Sequence, residues 1–149
     1  MLSNHSNHSN QKMMIFLRVL IAALITIHGW ARLFFAVPAF SGPADLGGAI
    51  TDMGFPAGLA LGWLITIVEA FGAPLFAWGR FVFPLGLFFT FIYTMSTIFY
   101  HAPHGWFSSG SGSDGCEYAV LLVGSLICVW SQYIPAHIRE SRLNFWQKA

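Results

Sequence analysis

Several ionisable side chains lie within or beside long apolar segments, where little water is expected to solvate them. They are Arg18, His28, Arg32, Glu69, His101, His104 and Glu117. At about 1.5 Å per helical residue, Glu69 lies within about 3 Å of the centre of its segment and His28 about 5 Å from the centre of its own. Carboxylates and imidazoles accept and release protons, so Glu69 and His28 are the candidate catalytic residues.

The depth of these groups predicts how they pair. A charge at the centre of a bilayer costs about 3 kcal/mol or more, so each charged side chain is expected to have a partner. We expect Glu69 to pair with Arg18 or His28, and Arg32 to pair with Glu117.

Some of these residues also have a purely structural interpretation. Arg18 could extend to the membrane surface and solvate its charge there. Glu69 could be a neutral, hydrogen-bonded carboxylic acid that only packs. His101 and His104 lie where a helix ends, and histidine is often an ordinary interfacial residue at such a position.

The composition is that of a membrane protein. Hydrophobic residues make up 56% of the 149 residues, charged residues only 9%, and the mean hydropathy is +0.62. Soluble domains are about 25% charged, so the bilayer is the expected solvent of this chain. The net charge of +1 supplies no basic stripe for phosphates, which excludes nucleic acid as a partner.

The two cysteines, Cys116 and Cys128, form no redox or metal motif. On one helix they would be about 18 Å apart, too far for a disulfide. The sequence also contains no haem-attachment CxxCH, no cysteine set for an iron–sulfur cluster and no glycine-rich nucleotide fingerprint. We expect no metal site, and any electrons must come from a partner protein.

Four apolar segments have the length that crosses a hydrocarbon core of about 30 Å. They cover residues 14–36, 56–78, 81–100 and 116–134. The sequence therefore predicts an all-α fold, a four-helix transmembrane bundle over residues 14–136. A disordered polar tail is expected over 1–13 and a cytoplasmic tail over 137–149.

The loops and charges predict the topology. Only Gly79 and Arg80 separate the second segment from the third, so these two helices form an antiparallel hairpin. Lysine and arginine concentrate on the side of the termini and this turn, so the positive-inside rule places both termini in the cytoplasm. In the first loop on the outer side, Leu46, Ile50 and Met53 at helical spacing predict a short amphipathic helix lying on the outer surface.

Each predicted helix has one face of polar and small residues. At about 100° per residue, these faces are Arg18, Ala22, Ile25, His28, Gly29 and Arg32 in the first helix, Gly58, Gly62, Ile65, Glu69 and Ala73 in the second, Thr90, Thr94, Thr97 and His101 in the third, and Glu117, Gly124, Cys128 and Ser131 in the fourth. We expect all four faces to turn toward the interior of the bundle. Gly58 and Gly62 have the small-xxx-small spacing that lets two helices approach closely.

The polar landmarks also follow a definite order along the chain. They are Arg18-Val19-Leu20, His28-Gly29-Trp30-Ala31-Arg32-Leu33, Gly54-Phe55-Pro56, Glu69-Ala70-Phe71-Gly72, Gly79-Arg80, His101, and Glu117-Tyr118-Ala119-Val120-Leu121-Leu122. In this order, from about Phe16 to Gln132, the chain resembles the DoxX family of small bacterial membrane proteins. The resemblance implies a four-helix protein of the bacterial inner membrane.

The resemblance also implies a role in redox chemistry. DoxX-like proteins are mostly known as membrane subunits of redox systems, including a subunit of a thiosulfate:quinone oxidoreductase and partners of detoxifying enzymes, and many members have no assigned activity. A quinone is therefore the expected cofactor, with Arg32, His101 and Glu117 as its candidate binding residues. Glu69 or Glu117 would relay the protons that reduction to quinol requires.

Two other functions remain open. The chain could be a non-enzymatic membrane anchor or assembly factor whose outer loops bind a partner protein, because it lacks a complete catalytic set. It could also be a small-solute or proton transporter, which a polar interior allows, although the sequence contains no obvious inverted repeat or broken helix.

Overall fold

The computed structural model describes residues 2–34, 42–107, 115–136 and 138, and the regular structure within these ranges is helical. The elements are α1 (Leu2–Leu33), α2 (Pro43–Asp52), α3 (Gly58–Ile67), α4 (Ala73–Trp78), α5 (Val82–Ser96) and α6 (Glu117–Trp130), with 3-10 turns at Ala102–His104 and Ser131–Tyr133. The predicted all-α class is confirmed. The predicted tail over 137–149, apart from residue 138, lies outside the described residues.

Three stretches of the described chain are long and apolar enough to cross a membrane. They are Asn10–Leu33, Gly58–Trp78 and Val82–His104. They overlap the first three predicted segments, with ends that differ by up to four residues, and indicate a membrane protein by length and composition. α6 has 14 residues, so it is shorter than these three.

α1 begins at Leu2, earlier than the sequence predicts. A disordered tail is expected over residues 1–13, whereas the helix runs through them from residue 2. Residues 1–13 include neither proline nor glycine. The backbone hydrogen bonds of the apolar part of α1 can therefore continue through them without interruption. The helix ends at Leu33, and the Phe34 N–H donates to the Trp30 carbonyl at 2.9 Å.

Two of the membrane-length stretches contain a π-helical turn. One, Val68–Gly72, lies between α3 and α4, and the other, Thr97–His101, follows α5. Pro74 comes shortly after the first π turn and has no N–H to donate to the Ala70 carbonyl four residues earlier. The indole of Trp30 in α1 donates to that carbonyl at 3.0 Å, so α1 is tied to the second span at this level.

α1 runs antiparallel to α3 and α4. Arg18 lies beside Gly79, whereas Gly29 lies beside Ala70, so position along α1 rises as position along its neighbour falls. We call the end of the helices at Gly79 the turn end. The opposite end, where residues 34 and 105 lie, is the loop end.

The predicted short helix is present as α2, and it packs along the loop-end half of α3. A Cβ added to Gly62 would lie 2.7 Å from the Gly47 nitrogen, and one added to Gly47 would lie 2.7 Å from the Leu59 Cα, so the two backbones touch. Gly58 also lies against Gly47. Gly58 and Gly62 therefore provide the close approach that their spacing predicts, and the helix that uses it is α2.

An apolar core joins α1, α4, α5 and α6. Phe76 and Phe89 are fully buried in it, with ring centroids 6.0 Å apart in an edge-to-face arrangement. Its buried members are Ile21, Ala22, Ile25, Ala73, Phe76, Val82, Phe89, Leu122, Leu126 and Val129. Large apolar side chains also cover the outside, and Trp78 is 82% exposed. Extensive apolar surface of this kind suits contact with lipid.

The inward face of α6 differs from the predicted one. Gly124 and Cys128 are exposed, and the buried side chains of this helix are Ala119, Leu122, Leu126 and Val129. The bulkier apolar side chains fill the space against α1 and α5, which small side chains would leave as voids. The predicted inward placement of Gly124 and Cys128 is wrong.

Candidate functional site

A buried ion pair joins the end of α1 to the π turn at Val68–Gly72. Arg32 Nη1 donates to Glu69 Oε2 at 2.6 Å, and the two residues are 6% and 3% exposed. Glu69 is next to the central residue of Gly58–Trp78, so the pair lies near the middle of that span. The predicted pairing of Glu69 with Arg18 or His28 is wrong, because the partner of Glu69 is Arg32.

The register between α1 and the second span explains this partner. A Cβ added to Gly29 would lie 2.8 Å from the Glu69 carbonyl carbon, so α1 contacts the π turn at this level. Arg32 is about one helical turn beyond Gly29 and lies beside Glu69, whereas Arg18 lies beside Gly79 at the turn end. The predicted pairing used depths counted from the centre of each apolar segment, which assumes that the segment centres lie at the same level. α1 is instead shifted along its axis relative to the second span, so these depths do not match.

Tyr93 and Thr66 complete the cluster around this pair. The Tyr93 hydroxyl donates to Glu69 Oε1 at 3.0 Å, so each carboxylate oxygen accepts a hydrogen bond. Arg32 Nη1 lies 3.4 Å from the Thr66 hydroxyl oxygen, and that hydroxyl donates to the Gly62 carbonyl at 2.8 Å. We call Arg32, Thr66, Glu69 and Tyr93 the ion-pair cluster.

Tyr93 and Thr66 are not among the residues predicted from the sequence, although the pattern contains a signal for Tyr93. Tyr93 lies three residues after Thr90 and four before Thr97, so it shares the polar face of its helix. Within a segment rich in phenylalanine, however, a tyrosine is most simply interpreted as an aromatic packing residue. Its hydroxyl becomes informative only when a buried acceptor is known to face it.

His28 lies outside the ion-pair cluster. Its side chain is exposed, and its Nδ1 lies 2.9 Å from the Leu24 carbonyl oxygen in its own helix. At about 100° per residue, His28 is about 80° from Arg18 around α1, at the margin of the predicted inward arc. The predicted inward orientation of His28 is wrong, and the structure does not bring this side chain to Glu69.

His101, His104 and Glu117 lie at the loop end. His101 closes the π turn after α5 and is half-buried, whereas His104 is exposed. The Glu117 N–H donates to the Trp106 carbonyl at 3.0 Å, which fixes the start of α6 against the second loop. His101 lies eight residues beyond Tyr93, about 12 Å along the helix. The pairing of Arg32 with Glu117 stays a prediction.

The threonine stripe on α5 and its π turn is satisfied locally. Thr94 donates to the Thr90 carbonyl at 2.7 Å, and Thr97 donates to the Tyr93 carbonyl at 2.6 Å. The Trp130 indole of α6 donates to the Thr90 hydroxyl at 3.1 Å. These hydroxyls bond within the helix or tie it to α6, so the stripe has a structural role.

Arg18 is a second buried arginine, at the turn end. It is 8% exposed, donates to the Tyr133 hydroxyl, and has its guanidinium carbon 5.5 Å from the centroid of the Tyr133 ring. The observed partner of Arg18 is therefore Tyr133, and not Glu69, for which Arg18 is one of the two alternative partners that the sequence predicts.

The chemistry available at the ion-pair cluster is that of a carboxylate held between a cation and a phenol. Within the described ranges, no group of three or more His, Cys, Asp or Glu side chains is arranged to hold a metal ion. The chain matches no family model, no curated protein and no solved structure. What the fold and the cluster define is a helical membrane protein with a charge pair near the middle of a span.

Proposed function

We propose that this chain is a four-helix, DoxX-like membrane subunit of a quinone-linked redox system, with the ion-pair cluster as its proton-handling site. The observation that carries the proposal is Glu69, which accepts hydrogen bonds from Arg32 and Tyr93 near the centre of a span. Ionisable groups at that depth are rare and commonly mark proton or ligand pathways. The protein would lie in the bacterial inner membrane with both termini in the cytoplasm.

The fourth helix of this proposal is α6 together with the 3-10 turn Ser131–Tyr133. At about 1.5 Å per residue in α6 and about 2 Å per residue in the turn, this segment measures about 27 Å, close to the thickness of a hydrocarbon core. α6 packs against α5 and α1 and contributes Leu122, Leu126 and Val129 to the core. A helix of this length between two membrane-length neighbours would cross the bilayer with them.

The ion-pair cluster suits proton transfer because both charge states of Glu69 keep polar partners. In the ionised state, Arg32 and Tyr93 donate to the two carboxylate oxygens. When Glu69 takes a proton, the Thr66 hydroxyl oxygen, 3.4 Å from Arg32 Nη1, still accepts from the guanidinium.

An aromatic face beside the cluster suits a quinone ring. Trp30, Phe34 and Phe71 are exposed, and the Trp30 centroid lies 5.4 Å from that of Phe34 and 6.4 Å from that of Phe71. Phe71 is two residues from Glu69 in the π turn. A bound quinone would supply an acceptor for two electrons and two protons, with the electrons coming from a partner protein. Arg32 would donate to its carbonyl group, with His101 and Glu117 as further candidate binding residues at the loop end.

Redox-difference infrared spectroscopy of the full chain in lipid nanodiscs with ubiquinone or menaquinone tests this proposal. Reduction of the quinone should change the protonation of a buried carboxyl group, and the corresponding carbonyl band should disappear in Glu69→Gln. Asp52→Asn also removes one carboxylate, but an exposed one at the end of α2, and should leave the band unchanged. Absence of quinone binding, with the chain alone and with its redox partners, would refute the proposal.

A second candidate function is a non-enzymatic membrane anchor, favoured by the exposed aromatic residues of the second loop. Trp106 and Phe107 are exposed at the loop end, where a partner protein could bind them. In that case Glu69→Gln would leave the cellular phenotype intact, and replacement of Trp106 and Phe107 by serine would abolish it. The redox proposal predicts the reverse pattern.

A further inference from the structure

The turn end of the bundle carries two arginines with no carboxylate partner among the described residues. Arg18 is 8% exposed and donates to the neutral Tyr133 hydroxyl, and its buried Nε has no hydrogen-bond partner within the described part of the chain. Arg80 is exposed in the turn that follows α4. The Arg18 Nη atoms lie 3.3 Å from the position that a Cβ of Gly79 would occupy, so the guanidinium reaches this turn.

The C-terminal carbonyls of α4 do little to neutralise these charges, because the turn itself uses two of them. Gly79, at φ 92°, donates its N–H to the Phe76 carbonyl at 3.1 Å, and the Arg80 N–H donates to the Leu75 carbonyl at 3.0 Å. This is the Schellman arrangement, in which the turn after a helix satisfies the last carbonyls. Arg18 therefore remains a buried cation whose described hydrogen-bond partner is a single hydroxyl.

A groove of about 260 Å³ opens beside the same turn. Its walls are Leu75, Trp78 and Phe81, all exposed on the outer surface of the helices, and Arg80 also lines it. A groove with apolar walls and a cationic rim, at the end of a membrane-length helix, combines the two surfaces that a phospholipid presents.

We propose that the turn end binds the phosphate group of an anionic phospholipid through Arg18 and Arg80, with an acyl chain lying along the groove. Guanidinium groups bind phosphate through paired N–H donors, and the unpartnered Nε of Arg18 is such a donor. The phosphate supplies the negative charge that the described protein does not offer Arg18. The apolar walls distinguish a lipid from free phosphate, which would leave them unused. This site is independent of the quinone proposal.

Native mass spectrometry of the full chain with defined phospholipids tests the site. Phosphatidylglycerol should bind more tightly than phosphatidylcholine, and Arg80→Gln should weaken phosphatidylglycerol binding about fivefold, as expected for the loss of one basic contact. Lys12→Gln is the matched control, because it removes one exposed positive charge of α1 that does not line the groove, and it should weaken binding less than Arg80→Gln does. Arg18→Lys keeps the charge but loses the planar set of donors, and it should weaken binding at least as much as Arg80→Gln.

Three outcomes would overturn the proposal. Equal binding of phosphatidylglycerol and phosphatidylcholine would show that anionic lipid is not selected. Equal losses in Lys12→Gln and Arg80→Gln would show that general charge, rather than this site, determines binding. Displacement of the lipid by inorganic phosphate at equal concentration would show that the site takes a free anion. Arg80 is exposed, so Arg80→Gln should fold normally and gives a result even if Arg18→Lys does not fold.

Discussion

The two buried arginines of α1 are stabilised in different ways. Arg32 lies near the middle of the neighbouring span and pairs with the Glu69 carboxylate, whereas Arg18 lies at the turn end and donates to the Tyr133 hydroxyl. Their exposures, 6% and 8%, are nearly equal, so burial does not account for the difference. At mid-span Arg32 has a full opposite charge, whereas Arg18 at the turn end is held by a hydroxyl and an aromatic face.

Removing the carboxylate of the mid-span pair should have the largest effect on stability. Glu69→Leu leaves Arg32 as an uncompensated charge, so we expect the free energy of unfolding to fall by about 3–5 kcal/mol. Denaturant titration in detergent micelles measures this change. The double variant Arg32→Met with Glu69→Leu removes both charges and should recover most of the stability. A double variant as unstable as Glu69→Leu alone would contradict the assignment of the loss to the unpaired arginine.

Separating α1 from the π turn should have the next largest effect. Gly29→Ala places a Cβ 2.8 Å from the Glu69 carbonyl carbon, so the two helices must move apart, at a cost of about 2–3 kcal/mol in unfolding free energy. Gly124→Ala is the matched control, because a Cβ there would have no neighbour within 4 Å. The same micelle titration should find Gly124→Ala as stable as the wild type or slightly more so. Equal destabilisation of the two variants would mean that the contact at Gly29 is not tight.

Removing the hydroxyl of either tyrosine that hydrogen-bonds to a charged residue should have a smaller effect on the free energy of unfolding. Tyr93→Phe removes a donor from the buried Glu69 carboxylate and should cost about 2 kcal/mol, because hydrogen bonds to charged groups are the stronger ones. Tyr133→Phe removes the hydroxyl that accepts from Arg18 but keeps the aromatic face. Tyr133 is 40% exposed, so solvent can replace the lost hydroxyl, and about 1 kcal/mol is expected. Thermal unfolding of the two variants side by side gives the ranking. A larger loss for Tyr133→Phe would invert the comparison between mid-span and turn end.

The sequence predicted the helical segments and most of the inward face of α1. Arg18, Ala22, Ile25, Gly29 and Arg32 are all buried, as their shared arc at helical spacing predicts. This succeeds because angle around a helix axis follows from residue number. The predicted face of the second span is also buried throughout, at Gly58, Gly62, Ile65, Glu69 and Ala73.

The partner of Glu69 and the face of α6 could not be predicted in the same way. The partner depends on how far α1 is shifted along its neighbour, which the contact at Gly29 sets and segment length does not. On α6, small residues and large apolar residues lie on different faces, and either face could point inward. The structure buries Leu122 and Leu126 because they fill the core beside Phe89, while Gly124 stays outside.

The π turn at Val68–Gly72 gives the second span two helical phases. A π turn adds one residue to a turn, so the lattices before and after it are offset by about 100°. Before the π turn, Gly58 and Gly62 of α3 face α2. After it, Ala73 and Phe76 of α4 face the shared core. On a single lattice Gly58, Gly62 and Ala73 would share an arc of about 60° and face the same neighbour. The offset lets α3 face α2 while α4 faces the core, and Glu69 lies where the phase changes.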